Sequence, residues 1–394
     1  MRLVFALFLL ISIIIPTFAT VTPQQFGAVG DGLHDETEAI QAALNQGGEI
    51  KVPAGIYKIN GKLVMKSGTT LYGEQGTIIK QAKDAFILFN EHAQEMDAEW
   101  DENITIKNLV FDGAGVDAKS EYTAGFYMCG VRNLKVENCT LKNIGGDGIY
   151  LGRGGRDRYS EGISINNCTF DNCGRNAANP RQSIAVVFAE DVKIADCTMI
   201  NKRKTSYGVD VEPNKPDEHC SVIVSNCRMK GCGISCGGNK TARRKIIVTN
   251  CNIDCSGTEN ATLVVVKAEA KITGNTIVSN GKQNGITIVT SPSAIVQKNN
   301  ISESSAGVLI TDGSDNVIVQ GNRIENCSSG VYVMKSRAIA ILSNVLSTRG
   351  KGVYVRMESE GTRVERNTIY VESGVDVYTK ESANIRVRRN KKKK

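Results

Sequence analysis

The chain has 394 residues and a formal net charge of +7, with 39 glycines, only 7 prolines and a single tryptophan. Val, Ile, Thr and Asn recur throughout, which points to many short strands joined by tight turns and away from a helical protein. Three histidines and no Cys/His spacing of the zinc type argue against a tight transition-metal centre. The basic residues come without a nucleic-acid motif, so nucleic acid is not the expected partner.

The chain opens with Met1-Arg2, an apolar run from Leu3 to Ile15 and then Pro16-Thr17-Phe18-Ala19. One positive charge, a short apolar run and a small-x-small ending describe a secretory signal peptide, since a membrane span needs roughly 20 apolar residues. Cleavage is expected after Ala19, giving an exported or periplasmic protein with no membrane span.

Residues 26–44 follow with an amphipathic pattern, Ala39, Ile40, Ala43 and Leu44, that Asp35 or Thr37 can cap as a helix. Gly47 to Tyr57, with Val52-Pro-Ala-Gly-Ile-Tyr57, then reads as the start of a first strand layer.

Beyond residue 100 a short pattern repeats, apolar-x-x-(Asn/Asp/Gly)-(Cys/Asn)-x-apolar, as in Val136 to Leu141, Ile165 to Phe170, Ile194 to Met199 and Val319 to Ile324. One column of it reads Cys139, Cys168, Cys197, Cys227 and Cys251, then Asn275, Asn299, Asn322, Asn344, Asn367 and Asn390. A second column is Gly followed by an alternating strand, as in Gly148-Ile-Tyr-Leu, Gly208-Val-Asp-Val and Gly330-Val-Tyr-Val. No such unit buries its own apolar side, so successive units must stack.

The expected fold is all-β, a right-handed parallel β-helix of about 11–12 rungs with an N-terminal capping α-helix. The expected organisation is a signal peptide (1–19), a cap helix with the first rungs (20–100), the repeats (101–390) and a basic tail (391–394). Aligned asparagines suit hydrogen bonding up and down the stack, and the cysteines in their column are small apolar fillers. For an exported protein a disulfide stays open among the less constrained cysteines outside that column, Cys232 to Cys255 for instance.

The run Gly27-Ala-Val-Gly-Asp-Gly-Leu-His-Asp-Glu-Thr-Glu-Ala-Ile-Gln-Ala-Ala43, with Val-Pro-x-Gly-x-Tyr after it, resembles the entry motif of the pectate-lyase-like superfamily of parallel β-helices. That resemblance implies the same fold and an activity among its polysaccharide hydrolases, lyases, epimerases and tailspike depolymerases. The polygalacturonase motifs Gly-His-Gly and Arg-Ile-Lys are absent.

Rung length locates a candidate site. Steps from Cys139 to Cys227 take 29 or 30 residues, later ones 22 to 24, so the early rungs carry extra loops. Solenoid insertions gather on one face, commonly the binding face. On the Gly-led strand of this region Asp210 and Glu212 share the outward side above Val209 and Val211, with small residues in the neighbouring rungs. They are the expected catalytic carboxylates of a glycoside hydrolase, with Glu212 as acid and Asp210 as base. Arg153, Arg156, Arg175, Arg181, Gln182, Lys204, Asn214, Lys215 and His219 are expected to line walls suited to an acidic glycan, and Tyr150 and Tyr207 to stack on sugars.

No cofactor is expected for a hydrolase. In the lyase alternative Asp210 and Glu212 hold calcium while Arg181 or Lys204 takes a proton. Tyr207-Gly-Val-Asp210 also resembles the Tyr-Gly-Phe-Asp-Pro-His motif of mannuronan epimerases, departing from it after the Asp. A non-catalytic glycan adhesin is the third reading. The partner expected throughout is an acidic polysaccharide, bound by a monomer or a tailspike-like trimer.

Overall fold

The computed structural model describes residues 20–113, 124–174, 181–201 and 206–392. The expected signal peptide lies outside the described residues.

Each repeat folds as a rung of short strands, and every rung pairs in parallel with the next. One sheet runs as a path of 14 strands from Glu49–Val52 to Arg386–Arg388. The expected 11–12 rungs is therefore an undercount. The first layers, such as Glu49–Val52 and Thr70–Gly73, lack the Cys/Asn turn and carry no repeat signal.

The repeat pattern has a backbone cause. Its Asn/Asp position is left-handed, with φ of 54° at Asn138, 50° at Asn167, 55° at Asp196 and 54° at Asn226. Asn and Asp tolerate that conformation better than other side chains, and Gly274 takes the same place at φ 72°. The turn aims the next residue into the core.

In the long rungs that inward residue is cysteine, and Cys168 donates weakly to the Asn166 and Val136 carbonyls at 3.2 and 3.5 Å. In the short rungs it is asparagine: Asn299 Nδ2 reaches Asn322 Oδ1 at 2.9 Å, and Asn322 Nδ2 reaches Asn344 Oδ1 at 3.0 Å. The two ladders join where the Cys251 amide donates to Asn275 Oδ1 at 2.8 Å. All twelve cysteines are buried free thiols, so the Cys232–Cys255 bridge does not form.

The apolar core is continuous from Ala28 to Ile369. The helix Thr37–Leu44 contributes Ile40, Ala43 and Leu44 to it, each fully buried, and burying such an aliphatic side chain contributes about 1.5–3 kcal/mol. Its N-cap is Glu36, and neither Asp35 nor Thr37 holds that place. Asp35 instead accepts from the Thr37 amide and hydroxyl at 3.1 and 2.6 Å. The Glu36 carboxylate turns back to accept the Val29 and Gly30 amides at 3.0 and 2.9 Å. The Gly-rich entry motif is thus a structural knot.

Candidate functional site

The Gly-led strands stack in register, so one outward column can be followed rung by rung. It runs Phe89, Tyr127, Tyr150, Ala185, Asp210, Ser235, Val264 and Thr287, then Leu309, Tyr332, Tyr354 and Tyr378. Asp210 is the only acid in it, set between the small residues Ala185 and Ser235. Val209 and Val211 on the same strand point inward and are fully buried. Glu212 follows two residues on, its amide still bonded to the Val186 carbonyl at 2.9 Å.

The expectation of two exposed acids needs correcting. Asp210 is only 6% exposed, whereas the Glu212 side chain is 26% exposed. One Asp210 oxygen, Oδ1, is buried with no hydrogen-bond partner. Burial first, and the neighbouring Glu212 charge second, push the Asp210 carboxyl well above the usual carboxylate range, with the Ser235 hydroxyl opposing the shift.

A third acid, Asp147, completes the cluster and was not legible as a site residue. It stands just before the Gly-led strand Ile149–Gly152, in register with Gln182. Asp147 Oδ1 accepts from the Gln182 amide at 2.9 Å, and Oδ2 accepts from Arg181 Nη2 and Nε at 2.9 and 3.3 Å. The same Nη2 lies 3.6 Å from Glu212 Oε1. Gln182 Oε1 in turn accepts the Tyr207 amide at 2.7 Å. Asp147, Arg181, Gln182, Tyr207 and Glu212 are therefore linked by contacts, and Asp210 is coupled to them through the neighbouring Glu212 charge.

Other expected wall residues are engaged elsewhere. Arg153 pairs with Asp157, with Asp217 at 2.8 Å and with buried Glu218 at 3.0 Å, and lies over the Phe188 ring. Its charge is spent on holding loops together. Glu218 also accepts the Asn214 and Lys215 amides, so these two residues stand in a braced turn. His219 belongs to the other sheet, 3.3 Å from Glu190 and packed on Phe188, and does not join the carboxylates. Tyr150 stacks on Tyr127, ring centroids 5.2 Å apart, one rung short of Ala185. Arg175, Lys204 and the side chain of Arg156 lie outside the described residues.

The model of rhamnogalacturonase A/epimerase, pectate-lyase-like proteins matches residues 20–233, more than half of the chain. The chain belongs to the pectate-lyase-like superfamily of parallel β-helices. A second model, the periplasmic copper-binding protein NosD, matches residues 152–320 and 269–394 of this β-helix. The preneck appendage protein of Bacillus phage PZA is 26% identical over 236 residues, covering 54% of this chain and 26% of that protein. A mannuronan C5-epimerase of Azotobacter vinelandii is 27% identical over 151 residues, covering 33% of this chain and 11% of that protein. This pectate-lyase-like chain thus spans about a quarter or less of the length of these relatives. Its fold matches the tailspike of E. coli bacteriophage HK620, solved with a pentasaccharide, at a TM-score of 0.69 and 14% identity, over 93% of this chain and 80% of that one.

The copper in the NosD description finds no fitting thiolate or imidazole donor set among the described residues. Copper sites favour thiolate, thioether and imidazole ligands. Here the thiols are buried, and each histidine faces a carboxylate: His34 with Asp31, His92 with Asp101, His219 with Glu190. The one three-residue cluster among the described residues is Glu91, His92 and Asp101. Its Asp101 already accepts from Asn90 Nδ2 and the His92 amide at 2.8 Å each and pairs with His92 Nδ1 at 2.8 Å. No helix among the described residues is long and apolar enough to cross a membrane.

Proposed function

We propose that this pectate-lyase-like chain is a polysaccharide-active enzyme that hydrolyses an acidic glycan, with Asp210 as general acid and Glu212 as general base. The observation that carries this is the buried Asp210 carboxyl, one oxygen unpartnered, beside a more exposed Glu212 that Arg181 accompanies. It reverses the acid/base order expected from the sequence, because burial falls on Asp210.

In this reading the Asp210 carboxyl, raised by burial and by the Glu212 charge, carries a proton and gives it to the glycosidic oxygen as the carbon–oxygen bond breaks. Glu212 takes a proton from the water that attacks the sugar carbon. Backbone positions two apart on a strand are separated by about 7 Å, within the range of about 6.5–9.5 Å between carboxyl groups that leaves room for a water in inverting hydrolysis. Arg181 supplies the positive charge that a carboxylate base requires, and Asp147 holds Arg181 in place.

The alternative is elimination or epimerisation at a uronate. The epimerase relative supports it, as does the Tyr207 to Asp210 motif. In that reading Asp210 and Glu212 would hold the calcium and Arg181 would take the proton; against it, the Arg181 guanidinium is engaged by Asp147 and lies beside Glu212. Export to the periplasm or the cell exterior, as the sequence start suggests, belongs to the same proposal. The test is the release of new reducing ends from a panel of acidic polysaccharides by the wild-type chain and by Asp210→Asn and Glu212→Gln. Loss of release in both variants, with glycan binding retained, supports the assignment, and unchanged release in either removes that residue from it.

A further inference from the structure

Large apolar side chains reach solvent almost only at the two ends of the solenoid. Among the described residues Phe26, Val29, Leu33 and Ile56 are exposed at the first rung and Tyr370, Val375, Tyr378 and Val387 at the last, with only Met96 and Val345 elsewhere. Charge divides in the same way. Residues 20–50 carry Asp31, Asp35, Glu36, Glu38 and Glu49 and no Lys or Arg, whereas residues 375–394 carry eight Lys and Arg against Asp376 and Glu381.

Both ends also leave strand edges open. Asp31–Asp35 pairs only with Gly55–Ile59 among the described residues, where Lys58 stands in register with Asp35. At the other end Val375–Lys380, Arg386–Arg388 and Lys391–Lys392 each pair on one side alone, with the rung before. The rest of the first end is sealed. Val21 bonds to the Glu49 carbonyl and the Lys51 amide at 3.1 and 2.8 Å, and Gln41 of the helix bonds to the Val64 amide and carbonyl at 2.8 and 3.1 Å. Followed through the stack, Asp31–Asp35 heads the column of strands that Lys391–Lys392 ends. Glu49–Val52 heads the sheet path that Arg386–Arg388 ends.

We propose that these ends are the two halves of one interface, through which the solenoid stacks head to tail on a second copy of itself. A copy that continues the stack adds its Asp31–Asp35 edge in parallel beside Lys391–Lys392, at the usual strand spacing of about 4.8 Å. That sets Lys391 and Lys392 against Asp31 and Asp35, and Arg386 and Arg388 against Glu49. Lysines on an edge strand ordinarily ward off pairing. Here they repel another last rung and suit the acidic first one, so the charge selects the head-to-tail arrangement. The contact is heterologous and leaves a free end at each side, so the assembly grows as a line. It does not rest on the hydrolase reading, and either can fail without the other.

The test follows the full chain by sedimentation velocity over rising protein and salt concentrations, beside a first-rung variant, Leu33→Lys, and a last-rung variant, Lys391→Glu/Lys392→Glu. The wild type is expected to form linear species that lengthen with concentration and weaken as salt rises. Each variant alone is expected to associate about tenfold more weakly or worse. An equimolar mixture of the two is expected to regain a species of at least two chains through the pair of ends left intact. The altered side chains are exposed, and equal melting temperatures of variants and parent show that folding is not the cause. A wild type that stays monomeric, association that persists unchanged in either variant, or a mixture of folded variants that stays monomeric would each overturn the proposal.

Discussion

Arg181 donates to Asp147 through two nitrogens, Nη2 at 2.9 Å and Nε at 3.3 Å, both meeting the same carboxylate oxygen. Asp147 is almost wholly buried, so this contact decides whether its charge is tolerated there.

Arg181→Met should therefore cost stability as well as activity. Breaking a buried ion pair from one side costs about 3–5 kcal/mol, and Asp147→Asn in the same chain should restore part of it by removing the stranded charge. Chemical denaturation of the two variants checks this. Activity should stay low in the double variant, because Glu212 has then lost the charge beside it. A double variant no more stable than Arg181→Met would contradict the pairing.

Asp210 gives a pH dependence of definite sign. Its carboxyl ionises near 3.8 when unperturbed and well above that in the folded chain. Between those limits the folded state holds a proton that the unfolded state has lost, so stability falls as pH rises across that window. Asp210→Asn should remove this slope and raise the melting temperature at neutral pH, by about 2–4 °C for each kcal/mol of relieved desolvation. Catalysis should fall as pH rises through the raised Asp210 value. Melting curves over a pH series, parent against variant, decide the first point. A variant that melts at lower temperature than the parent at neutral pH would contradict it.

The asparagine ladder should matter more than the cysteine one. Asn322 Oδ1 accepts the Asn299 amide and side chain at 2.9 Å each, while its Nδ2 donates to the Val296 carbonyl at 2.9 Å. Asn322→Ala strands buried partners on two rungs, a loss of about 2–4 kcal/mol. Cys227→Ala removes a small apolar filler, at about 1 kcal/mol. Because rungs contact only their neighbours, amide exchange should quicken first in the strands Ile318–Gln320 and Ala340–Leu342. Equal losses from the two substitutions would show that the ladder bonds contribute little.

Thiol chemistry offers a further check. The twelve cysteines are buried and unpaired, and burial pushes Cys129 and Cys236 up to about 12. A thiol reagent should label almost none in the native protein and all twelve after denaturation without reductant. Fewer than twelve in the denatured chain would reveal a disulfide.

The fold was largely legible because its repeat rests on a backbone constraint. Asn, Asp and Gly accept a left-handed turn most readily, although Lys298, Ser343 and Arg366 also take it before Asn299, Asn344 and Asn367, and a small or ladder-forming side chain fits the inward place after it, so residues such as Asn138 and Cys139 mark the rung. The rung count came out low because the turns of the first layers need no such pair. At the site, Asp210 and Glu212 could be placed on one side of a strand from alternation alone. The burial of Asp210, the approach of Asp147 and the diversion of Arg153 to Glu218 could not. Those depend on contacts across 34 and 65 residues of sequence, which no local pattern records.

The most direct test of the central claim is the chemistry of the product. Acidic polysaccharides are incubated with the wild-type chain and with Asp210→Asn/Glu212→Gln, with and without chelator, while reducing ends and the absorbance of unsaturated uronate are followed together. The account predicts reducing ends without unsaturated product, indifferent to chelator and absent from the variant. Unsaturated product that requires calcium would contradict the hydrolase assignment.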